Sequence, residues 1–320
     1  MVLHSSVIKN LQVTSRSLAD LQTITQVSLP TLRKGVQELT DNRWIQVVGQ
    51  AEANGGRPAK LFGLDDRYYV LLGVHIQLPG MRMIISDLAG HILDEIEAFQ
   101  QIQPSPDQVV QAIANYATDI QSRFTDRQIL GIGIAAPGFT DPDSGNIISI
   151  GRVAGWQDFP ICQRVSSLTN LPVYIANDVD CMAFAEFQYT QKSFTNNLTY
   201  FGFDEGLKVS MFLNGELYKG SFGNAGLIVT RFLNVYDTNI SLDDQQRIMT
   251  ISGLNEIFEE KVADLPPGKQ HLYTTMLSNS YRQRLELIFA GAQQGLPICA
   301  DITNMLISML ATAIANIIYV

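Results

Sequence analysis

The pair Asn177-Asp178 follows an apolar segment, residues 173–176, that has the composition of a buried strand. An aspartate at the end of such a strand can accept a proton from a hydroxyl group and so serve as a general base. The pair is also typical of a turn that caps a helix, because asparagine and aspartate side chains accept hydrogen bonds from nearby backbone amides. The sequence therefore offers either a proton acceptor or a capping turn at this position.

A second group of polar side chains shares one face of a helix that is predicted to begin after Ser28. Ser28 is placed as the N-cap, and Pro30 lies in the first turn, where a missing amide proton costs little. Apolar residues recur with helical spacing at Leu29, Leu32, Val36 and Leu39. The remaining face carries side chains that mostly suit phosphates and base edges, namely Pro30, Thr31, Arg33, Lys34 and Gln37. This pattern predicts a DNA recognition helix whose hydroxyl and basic side chains, beginning with Ser28, touch the major groove.

The elements around that helix fit the same interpretation. A predicted helix at residues 18–24, capped by Ser17, precedes it, and predicted strands at 44–48 and 60–64 follow it as a hairpin. The Gly-rich turn of the hairpin contains Gly56 and presents Arg57, which can reach phosphate or the minor groove. Residues 1–66 are therefore predicted to form a winged helix-turn-helix domain. The alternative is a small helical docking module whose exposed charges are only solvated.

The charge of the chain is divided unevenly. The whole sequence has a net charge of −9, yet residues 1–64, which we call the head, hold seven Lys and Arg against four Asp and Glu. The rest of the chain, which we call the body, holds fifteen against twenty-seven, so a head of net charge +3 precedes a body of net charge −12. This asymmetry is expected where only one end of a protein meets phosphates.

The cysteines, histidines and apolar residues argue against several classes of protein. The three cysteines and four histidines are scattered without paired spacing, so we expect no disulfide, no structural zinc and no other metal site. No uninterrupted run of about 18 apolar residues occurs, and the first residues lack the pattern of a secretion signal. We therefore expect a cytoplasmic protein with no membrane partner.

The body repeats one pattern of strands. The predicted strands of the two copies lie at residues 69–76, 82–86, 92–96, 198–203, 208–213 and 216–219. The helices and buried strands predicted between the copies lie at residues 105–124, 129–135, 173–176 and 180–189. Both buried strands end in polar or Gly-rich residues, and α/β folds bind ligands at the carboxyl ends of parallel strands. The pattern predicts a duplicated α/β body with a ligand cleft, and its lobes are placed at residues 67–188 and 189–320.

Four motifs give the body a family resemblance. They are Gly131-Ile-Gly-Ile-Ala-Ala-Pro-Gly138, Gly155-Trp156 with Asp158-Phe159-Pro160, Leu171-Pro-Val-Tyr-Ile-Ala-Asn177-Asp178, and Asn214-Gly-Glu-Leu-Tyr-Lys-Gly220 with Gly223-Asn-Ala-Gly226. In this order they resemble the ROK family of repressors, open reading frames and sugar kinases. The head, with Gly55-Gly56-Arg57-Pro58, resembles the winged helix that the repressors of this family carry and its kinases lack.

The resemblance implies an α/β fold in which an N-terminal winged helix-turn-helix precedes two actin-like (ribonuclease H-like) lobes, with sugar in the cleft and ATP phosphates on two Gly-rich turns. The first turn of family kinases reads roughly Asp-x-Gly-Gly-Thr, whereas residues 75–79 read His-Ile-Gln-Leu-Pro. The second reads roughly Gly-Thr-Gly-x-Gly, whereas residues 202–206 read Gly-Phe-Asp-Glu-Gly. Phe203 is expected to block the close approach of phosphate that glycines allow, and Asp204 and Glu205 are expected to repel it. No ATP and no other cofactor is therefore expected.

The resemblance also implies effector contacts at Gly138, Asn177 and Asp178, the last of which is also the vestige of a catalytic base. Without a placed phosphoryl group that base has no reaction to complete. Family members usually continue after the Gly223 segment with Gly-Glu-Ile-Gly-His, but residues 226–230 read Gly-Leu-Ile-Val-Thr, which removes both polar groups. The Cys-rich zinc loop of the family is absent from residues 231–241, and the sequence ends before the strand and helix that help to form the family's adenine pocket.

These observations predict a DNA-binding transcriptional regulator of the repressor type that controls carbohydrate-metabolism genes and has no enzymatic activity. Its expected partners are a double-stranded DNA operator, further copies of the chain in a dimer or tetramer, and a sugar or sugar phosphate as effector. An oligomer is expected because a single winged helix has too little contact surface for a tight site. Two alternatives remain: an ATP-dependent sugar kinase that keeps Asp178 as its base, and a ligand-free scaffold for a protein partner, which Leu227 and Thr230 would favour.

Overall fold

The computed structural model describes residues 2–52, 58–100, 102–151, 153–189, 196–204, 206–220, 223, 225–226, 247 and 250–318. The chain divides into two compact units, Met1–Phe194 and Thr195–Val320. The first unit contains two hydrophobic cores, one formed by the head and one around a five-stranded sheet. The second unit contains a core to which helices contribute most of the buried residues. The predicted mixed α/β class is confirmed.

The head forms three helices and a three-stranded sheet. These elements are α1 (Val2–Leu11), β1 (Arg16–Ser17), α2 (Leu18–Thr25), α3 (Leu29–Asp41), β2 (Ile45–Gln50) and β3 (Lys60–Leu64). The predicted helices α2 and α3 and both strands of the predicted hairpin are confirmed, and α1 and β1 are additional to them. Their shared core contains Leu21, Leu32 and Ile45, which are almost completely buried.

Local sequence signals explain where α2 and α3 begin. The Ser17 hydroxyl accepts a hydrogen bond from the Asp20 amide at 3.2 Å, and Asp20 Oδ2 accepts one from the Ser17 amide at 2.9 Å. The hydrogen bond from the Ser17 amide, together with one from the Ser17 hydroxyl to the same carboxylate oxygen at 2.8 Å, lowers the pKa of the Asp20 carboxyl below its usual value. Ser28 caps α3 by accepting a hydrogen bond from the Thr31 amide at 3.4 Å, and Pro30 occupies the first turn. Each cap supplies an acceptor to amides that have no partner within the helix.

A mixed five-stranded sheet forms the centre of the lobe that follows. The elements of this lobe are β4 (Tyr69–Ile76), β5 (Met81–Asp87), β6 (Ile92–Ala98), α4 (Pro106–Arg123), β7 (Gln128–Ala136), β8 (Phe139–Asp141), β9 (Asn146–Ser149), α5 (Ile161–Thr169), β10 (Val173–Asn177) and α6 (Asp178–Tyr189). The sheet has the order β10-β7-β4-β5-β6. Strands β4, β5 and β6 are antiparallel neighbours, whereas β4, β7 and β10 run parallel. The predicted meander and the two predicted buried strands are confirmed, and the parallel strands end at one edge of the sheet.

Helices α4 and α5 contribute to the core of this sheet. Ser105 is the N-cap of helix α4, and the apolar side of this helix buries Val109, Ile113 and Ile120 in that core. Trp156, which precedes α5, is fully buried in the same core. The burial of one apolar stripe against the sheet is what fixes the position of α4 on it.

The head meets the lobe at a set of contacts that we call the junction, which comprises residues 43–46, 65–69 and 87–91. The rings of Trp44 and Tyr69 have centroids 4.8 Å apart. The Arg43 guanidinium lies 4.5 Å from the centroid of the Tyr68 ring. Leu88, in the turn after β5, packs against the core of the head. The junction therefore joins the two parts of the first unit through aromatic, cationic and apolar contacts.

The second unit contains the second meander followed by helices. Its elements are β11 (Leu198–Phe203), β12 (Leu207–Leu213), β13 (Glu216–Leu217), α7 (Ile251–Ala263), α8 (Pro267–Gln270), a 3-10 turn (His271–Tyr273), α9 (Thr274–Leu277), α10 (Tyr281–Gln293) and α11 (Pro297–Ile318). The three strands are antiparallel in the order β11-β12-β13, as predicted. The third strand is shorter than the predicted segment, because it ends at Leu217 rather than Lys219.

Helix α11 contains a segment, Pro297–Ala315, that is long and apolar enough to cross a membrane by length and composition alone. In the structure 33% of this segment is buried. Its buried residues include Ile302, Leu306 and Met309, which belong to the core of the second unit. A helix that lies on the core of a globular unit passes the same test of composition, so this segment is weak evidence for a membrane.

Candidate functional site

The exposed side of α3 carries the polar residues that the sequence assigns to DNA. Leu32, Val36 and Leu39 are buried in the core. The opposite side is exposed at Ser28, Pro30, Thr31, Arg33, Lys34 and Gln37. Because side chains three and four positions apart are neighbours on a helix, these residues form one continuous surface, which we call the α3 face.

The side chains of the α3 face differ in their partners. Ser28 Oγ and Thr31 Oγ1 share a hydrogen bond of 2.7 Å. Lys34 Nζ lies 3.9 Å from a carboxylate oxygen of Glu38, and Gln37 Nε2 donates to Asp41 Oδ1 at 2.7 Å. Arg33 makes no hydrogen bond or ion pair with any residue that the structure describes. Its guanidinium therefore presents its donors to solvent, in the form that pairs with phosphate or with guanine.

The structure contains the two strands of the predicted hairpin. Strands β2 and β3 pair in antiparallel register, with Val47 opposite Phe62 and an irregularity between Val47 and Gly49. Strand β3 also pairs with β1, where Arg16 lies opposite Phe62. The predicted residues of the wing tip, Gly56 and Arg57, lie outside the described residues.

The parallel strands β4, β7 and β10 bring a second set of predicted residues to one edge of the sheet. The register places Ala136, at the end of β7, beside Asn177, at the end of β10. Gly138 follows with a φ of +79°, and a Cβ at this residue would lie 2.4 Å from the Ser149 carbonyl oxygen. Both the backbone conformation and the close approach of a neighbouring strand therefore require glycine at this position. We call this edge, with His75, Gly138, Asn177 and Asp178, the strand-end site.

The polar atoms of Asn177 hold the strand-end site together. Its Nδ2 donates to the Gly138 carbonyl at 3.0 Å, and its Oδ1 accepts from the amides of Val179 at 3.0 Å and Asp180 at 3.3 Å. The residue is only 3% exposed. These contacts confirm the capping turn that the sequence offers as one interpretation. The predicted contact of Asn177 with an effector stays a prediction.

Asp178 lies beside a histidine at the same edge. Its Oδ2 is 3.9 Å from His75 Nε2, and its Oδ1 accepts from the Val179 amide at 2.8 Å. The other ring nitrogen of His75, Nδ1, lies 3.4 Å from Gln77 Nε2. The side chains of Asp178 and His75 are 18% and 34% exposed, so both can meet a ligand. A carboxylate and an imidazole at this spacing can exchange a proton with a bound hydroxyl group.

The turn between β11 and β12, where the resemblance places a second phosphate loop, is held in place by contacts with other residues of the second unit. Phe203 packs against the core of that unit, and the Ile251 amide donates to the Asp204 carbonyl at 2.8 Å. The Asp204 carboxylate forms an ion pair with Arg282. This pair offsets the charge of Asp204, so the carboxylate repels a phosphate less than the sequence suggests. The Phe203 side chain also fills space at the core of this unit, so its size alone is not evidence that it blocks phosphate. Glu205 and residues 227–230 lie outside the described residues.

Sequence reasoning missed two features near these sites. Helix α1 packs on α3, where a Cβ at Gly35 would lie 2.9 Å from Leu3 Cδ2. The signal for α1 is the four-residue spacing of Leu3, Val7 and Leu11, of which the last two are buried. The neighbour of Asp178 was also missed. His75 could have been placed there, because it ends a strand that is parallel to the strand before Asp178.

Comparison with known proteins identifies a family domain in the chain. Residues 72–228 match the ROK family. A xylose repressor from Caldicellulosiruptor bescii is 23% identical over 223 residues, which cover 69% of this chain and 56% of that protein. A glucokinase from Halalkalibacterium halodurans is 29% identical over 170 residues, which cover 52% of this chain and 50% of that protein. The chain thus spans about half the length of the curated relatives it matches.

A solved structure shares the fold over nearly the whole chain. It is that of a ROK family transcriptional regulator, a homologue of the Escherichia coli MLC protein, with a TM-score of 0.77 and 20% identity. The match covers 99% of this chain and 80% of that chain. At this level of identity the likeness shows a common fold.

Proposed function

We propose that this chain, which carries a ROK family domain at residues 72–228, is a DNA-binding transcriptional repressor of carbohydrate-metabolism genes. The observation that carries the proposal is the α3 face, an exposed surface of hydroxyl, amide and basic groups on a helix–helix–hairpin unit that precedes the ROK domain. The sequence likeness to a xylose repressor and the fold shared with a ROK regulator support it.

In this proposal residues 1–66 form a winged helix-turn-helix, with α2 and α3 as its helices and β2 and β3 as its wing. Helix α3 has 13 residues and is therefore about 20 Å long. The major groove, about 12 Å wide, admits a helix of this kind. The α3 face contacts base edges and phosphates there, and Gly56 and Arg57 extend the contact from the wing tip. The rest of the chain forms two further domains, a first lobe at residues 67–188 and a second lobe at residues 189–320.

The protein acts as a homo-oligomer in the cytoplasm. One recognition helix reads only a few base pairs, and a two-fold dimer doubles the contact and matches a palindromic operator. The same reasoning allows a tetramer that binds two such sites.

The ROK body binds a sugar or sugar phosphate at the strand-end site and does not phosphorylate it. Gly138 and Asn177 shape the site, and Asp178 and His75 supply polar groups that are partly open to solvent. In the turn after β4, Gln77 and Leu78 occupy the positions where the family's kinases have two glycines. Fewer glycines leave fewer backbone amides that can approach a phosphate closely, which supports an effector site without ATP chemistry.

Selection of DNA by the full chain tests the regulatory function. The chain is incubated with a pool of random duplexes, the bound duplexes are sequenced, and the affinity for the enriched sequence is measured against salt concentration. We expect a palindromic sequence to be enriched. The logarithm of its binding constant should fall with the logarithm of the salt concentration, with a slope of about −0.9 for each phosphate contact. Uniform recovery of the pool without dependence on salt would contradict the proposal.

A second candidate function, an ATP-dependent sugar kinase, is favoured by the likeness to a glucokinase and by the partly exposed Asp178 carboxylate. Incubation of the full chain with a panel of sugars and magnesium ATP separates the two functions. We expect no sugar phosphate above background. Phosphorylation that disappears in Asp178→Asn would establish the kinase instead.

A further inference from the structure

Three side chains from two separate segments of the chain meet at the junction. Asp66 lies in the connection from β3 to β4, and Asp87 and His91 lie at the two ends of the turn between β5 and β6. One ligand atom from each residue, two carboxylate oxygens and an imidazole nitrogen, lies within 4.8 Å of the others. We call these three residues the junction cluster. They join the segment that leaves the head to the lobe that follows.

Both carboxylates of the junction cluster are oriented by other groups. Asp87 Oδ1 accepts from the His91 amide at 3.0 Å, which directs Oδ2 toward His91 Nδ1 at 2.9 Å. Asp66 Oδ1 accepts from Gln46 Nε2 at 2.9 Å. In each aspartate a donor therefore holds Oδ1. Proteins commonly orient a carboxylate ligand of a metal ion by a hydrogen bond to the oxygen that does not bind the ion.

The charge at the junction cluster is negative and partly shielded from water. The Asp87 side chain is only 3% exposed, whereas the His91 side chain is 68% exposed. Arg127, a basic residue of the lobe, donates to the Asp66 backbone carbonyl at 2.7 Å and not to its carboxylate. A cation at the cluster would therefore offset two carboxylates, one of which is buried.

We propose that Asp66, Asp87 and His91 bind a divalent transition-metal ion of the Zn²⁺ type, which ties the head to the lobe. Two oxygen ligands and one imidazole suit Zn²⁺, Co²⁺ or Mn²⁺, whereas Mg²⁺ and Ca²⁺ prefer oxygen ligands alone. Water completes the coordination, as it does at zinc sites with three protein ligands.

The spacing requires only a small adjustment. An ion that holds its ligands at about 2.0–2.2 Å places them roughly 3.3–3.6 Å apart in a tetrahedron. The separation of Asp87 Oδ2 and His91 Nδ1 is 2.9 Å, slightly below this value, and the largest separation in the cluster is below 4.8 Å. The proton between Asp87 and His91 leaves when the ion binds, because a metal-bound imidazole nitrogen carries no proton. Rotation of the exposed His91 ring and of the half-buried Asp66 side chain provides the rest of the movement.

Titration of the metal-stripped full chain with Co²⁺ tests the proposal, because Co²⁺ takes the same ligands as Zn²⁺ and absorbs visible light. We expect one equivalent to bind with a visible absorption band that Zn²⁺ displaces. Asp66→Asn and His91→Ala should each weaken binding about 10-fold or more, since even the loss of a residue that only supports a ligand costs about 10- to 100-fold. His271→Ala is the control, because His271 is an exposed histidine of the second unit.

The outcomes separate a built site from binding by a surface histidine. Loss of binding in Asp66→Asn with full binding in His271→Ala supports the site. No binding by the wild-type chain, or binding that Asp66→Asn leaves unchanged, overturns it. Circular dichroism of each variant checks that it is folded, and Asp66→Asn alone decides the result if His91→Ala does not fold. No DNA or sugar is present in this measurement, so its result is independent of the proposed function.

Discussion

The α3 face and the strand-end site are both rich in polar side chains, but they use them in different ways. At the strand-end site the side-chain amide of Asn177 is hydrogen-bonded inside the protein, to the Gly138 carbonyl and to the first backbone amides of α6. On the α3 face Arg33 has no hydrogen bond or ion pair within the described part of the chain. A polar residue that fits a family motif can thus be kept because the fold needs it. An exposed cation without an internal partner leaves its donors open to a ligand outside the chain.

The largest effect that this comparison predicts is at Gly138. Gly138→Ala forces a side chain into a φ of +79° and toward the Ser149 carbonyl oxygen, so we expect a loss of about 2–4 kcal/mol in the free energy of unfolding. Urea denaturation measures this loss. Gly133→Ala is the control, because a Cβ at Gly133 meets nothing within 4 Å. Equal stability of the two variants would show that the loop after β7 is not constrained as described.

Asn177 offers the next largest effect. Asn177→Ala removes the buried hydrogen bonds to the Gly138 carbonyl and to the amides of Val179 and Asp180, and we expect a loss of about 2–3 kcal/mol in the free energy of unfolding. Asp178→Asn, which changes the neighbouring, more exposed side chain, should cost less than about 1 kcal/mol. If Asn177→Ala is as stable as Asp178→Asn, the amide is not needed by the fold and the contrast with the α3 face fails.

Arg33→Ala tests the other side of the comparison. We expect a loss of about 1–3 kcal/mol in the free energy of DNA binding, which corresponds to about 5- to 150-fold in affinity. The free energy of unfolding should change by less than about 0.5 kcal/mol, because the side chain has no partner in the described fold. Fluorescence anisotropy with labelled operator DNA and urea denaturation measure the two quantities. The control for DNA affinity is Arg164→Ala on α5, an arginine that pairs with Asp107, and equal loss of affinity in both variants would remove the α3 face from the DNA interface.

Ser28 both caps a helix and belongs to the α3 face, and its expected effect is the smallest. Ser28→Ala removes the cap of α3 and should cost about 1 kcal/mol in the free energy of unfolding. Ser28→Asn keeps a capping side chain and should restore that stability. If its affinity for DNA is also restored, Ser28 acts only through the helix. If stability returns without affinity, the hydroxyl itself contacts DNA.

Local signals made much of the fold predictable. Capping residues and the spacing of apolar residues place α2, α3 and α4, and the alternation of strand residues and turns places both meanders. These signals depend only on neighbours in the sequence. Helix α1 carries the same kind of signal in Leu3, Val7 and Leu11, so its omission was an error of interpretation.

The candidate sites were less predictable because their contacts join distant residues. Asp204 and Arg282 are 78 positions apart, and Asn177 and Gly138 are 39 positions apart. No periodicity relates such pairs, and only the packed fold reveals that Asp204 pairs with Arg282 or that the Asn177 amide has a structural role. The α3 face was predictable, because a helix with a buried stripe must expose its other residues.

Strand β4 reaches from the junction to the strand-end site. It begins at Tyr69, whose ring contacts Trp44, and His75 near its other end lies beside Asp178. Its eight residues cover about 23 Å, and hydrogen bonds to β5 and β7 hold it on both sides. Because those ladders resist sliding, a ligand that pushes on His75 cannot shift this strand alone. A displacement of β4 would therefore move the neighbouring strands with it. The contact between Tyr69 and Trp44 would carry that movement to the head.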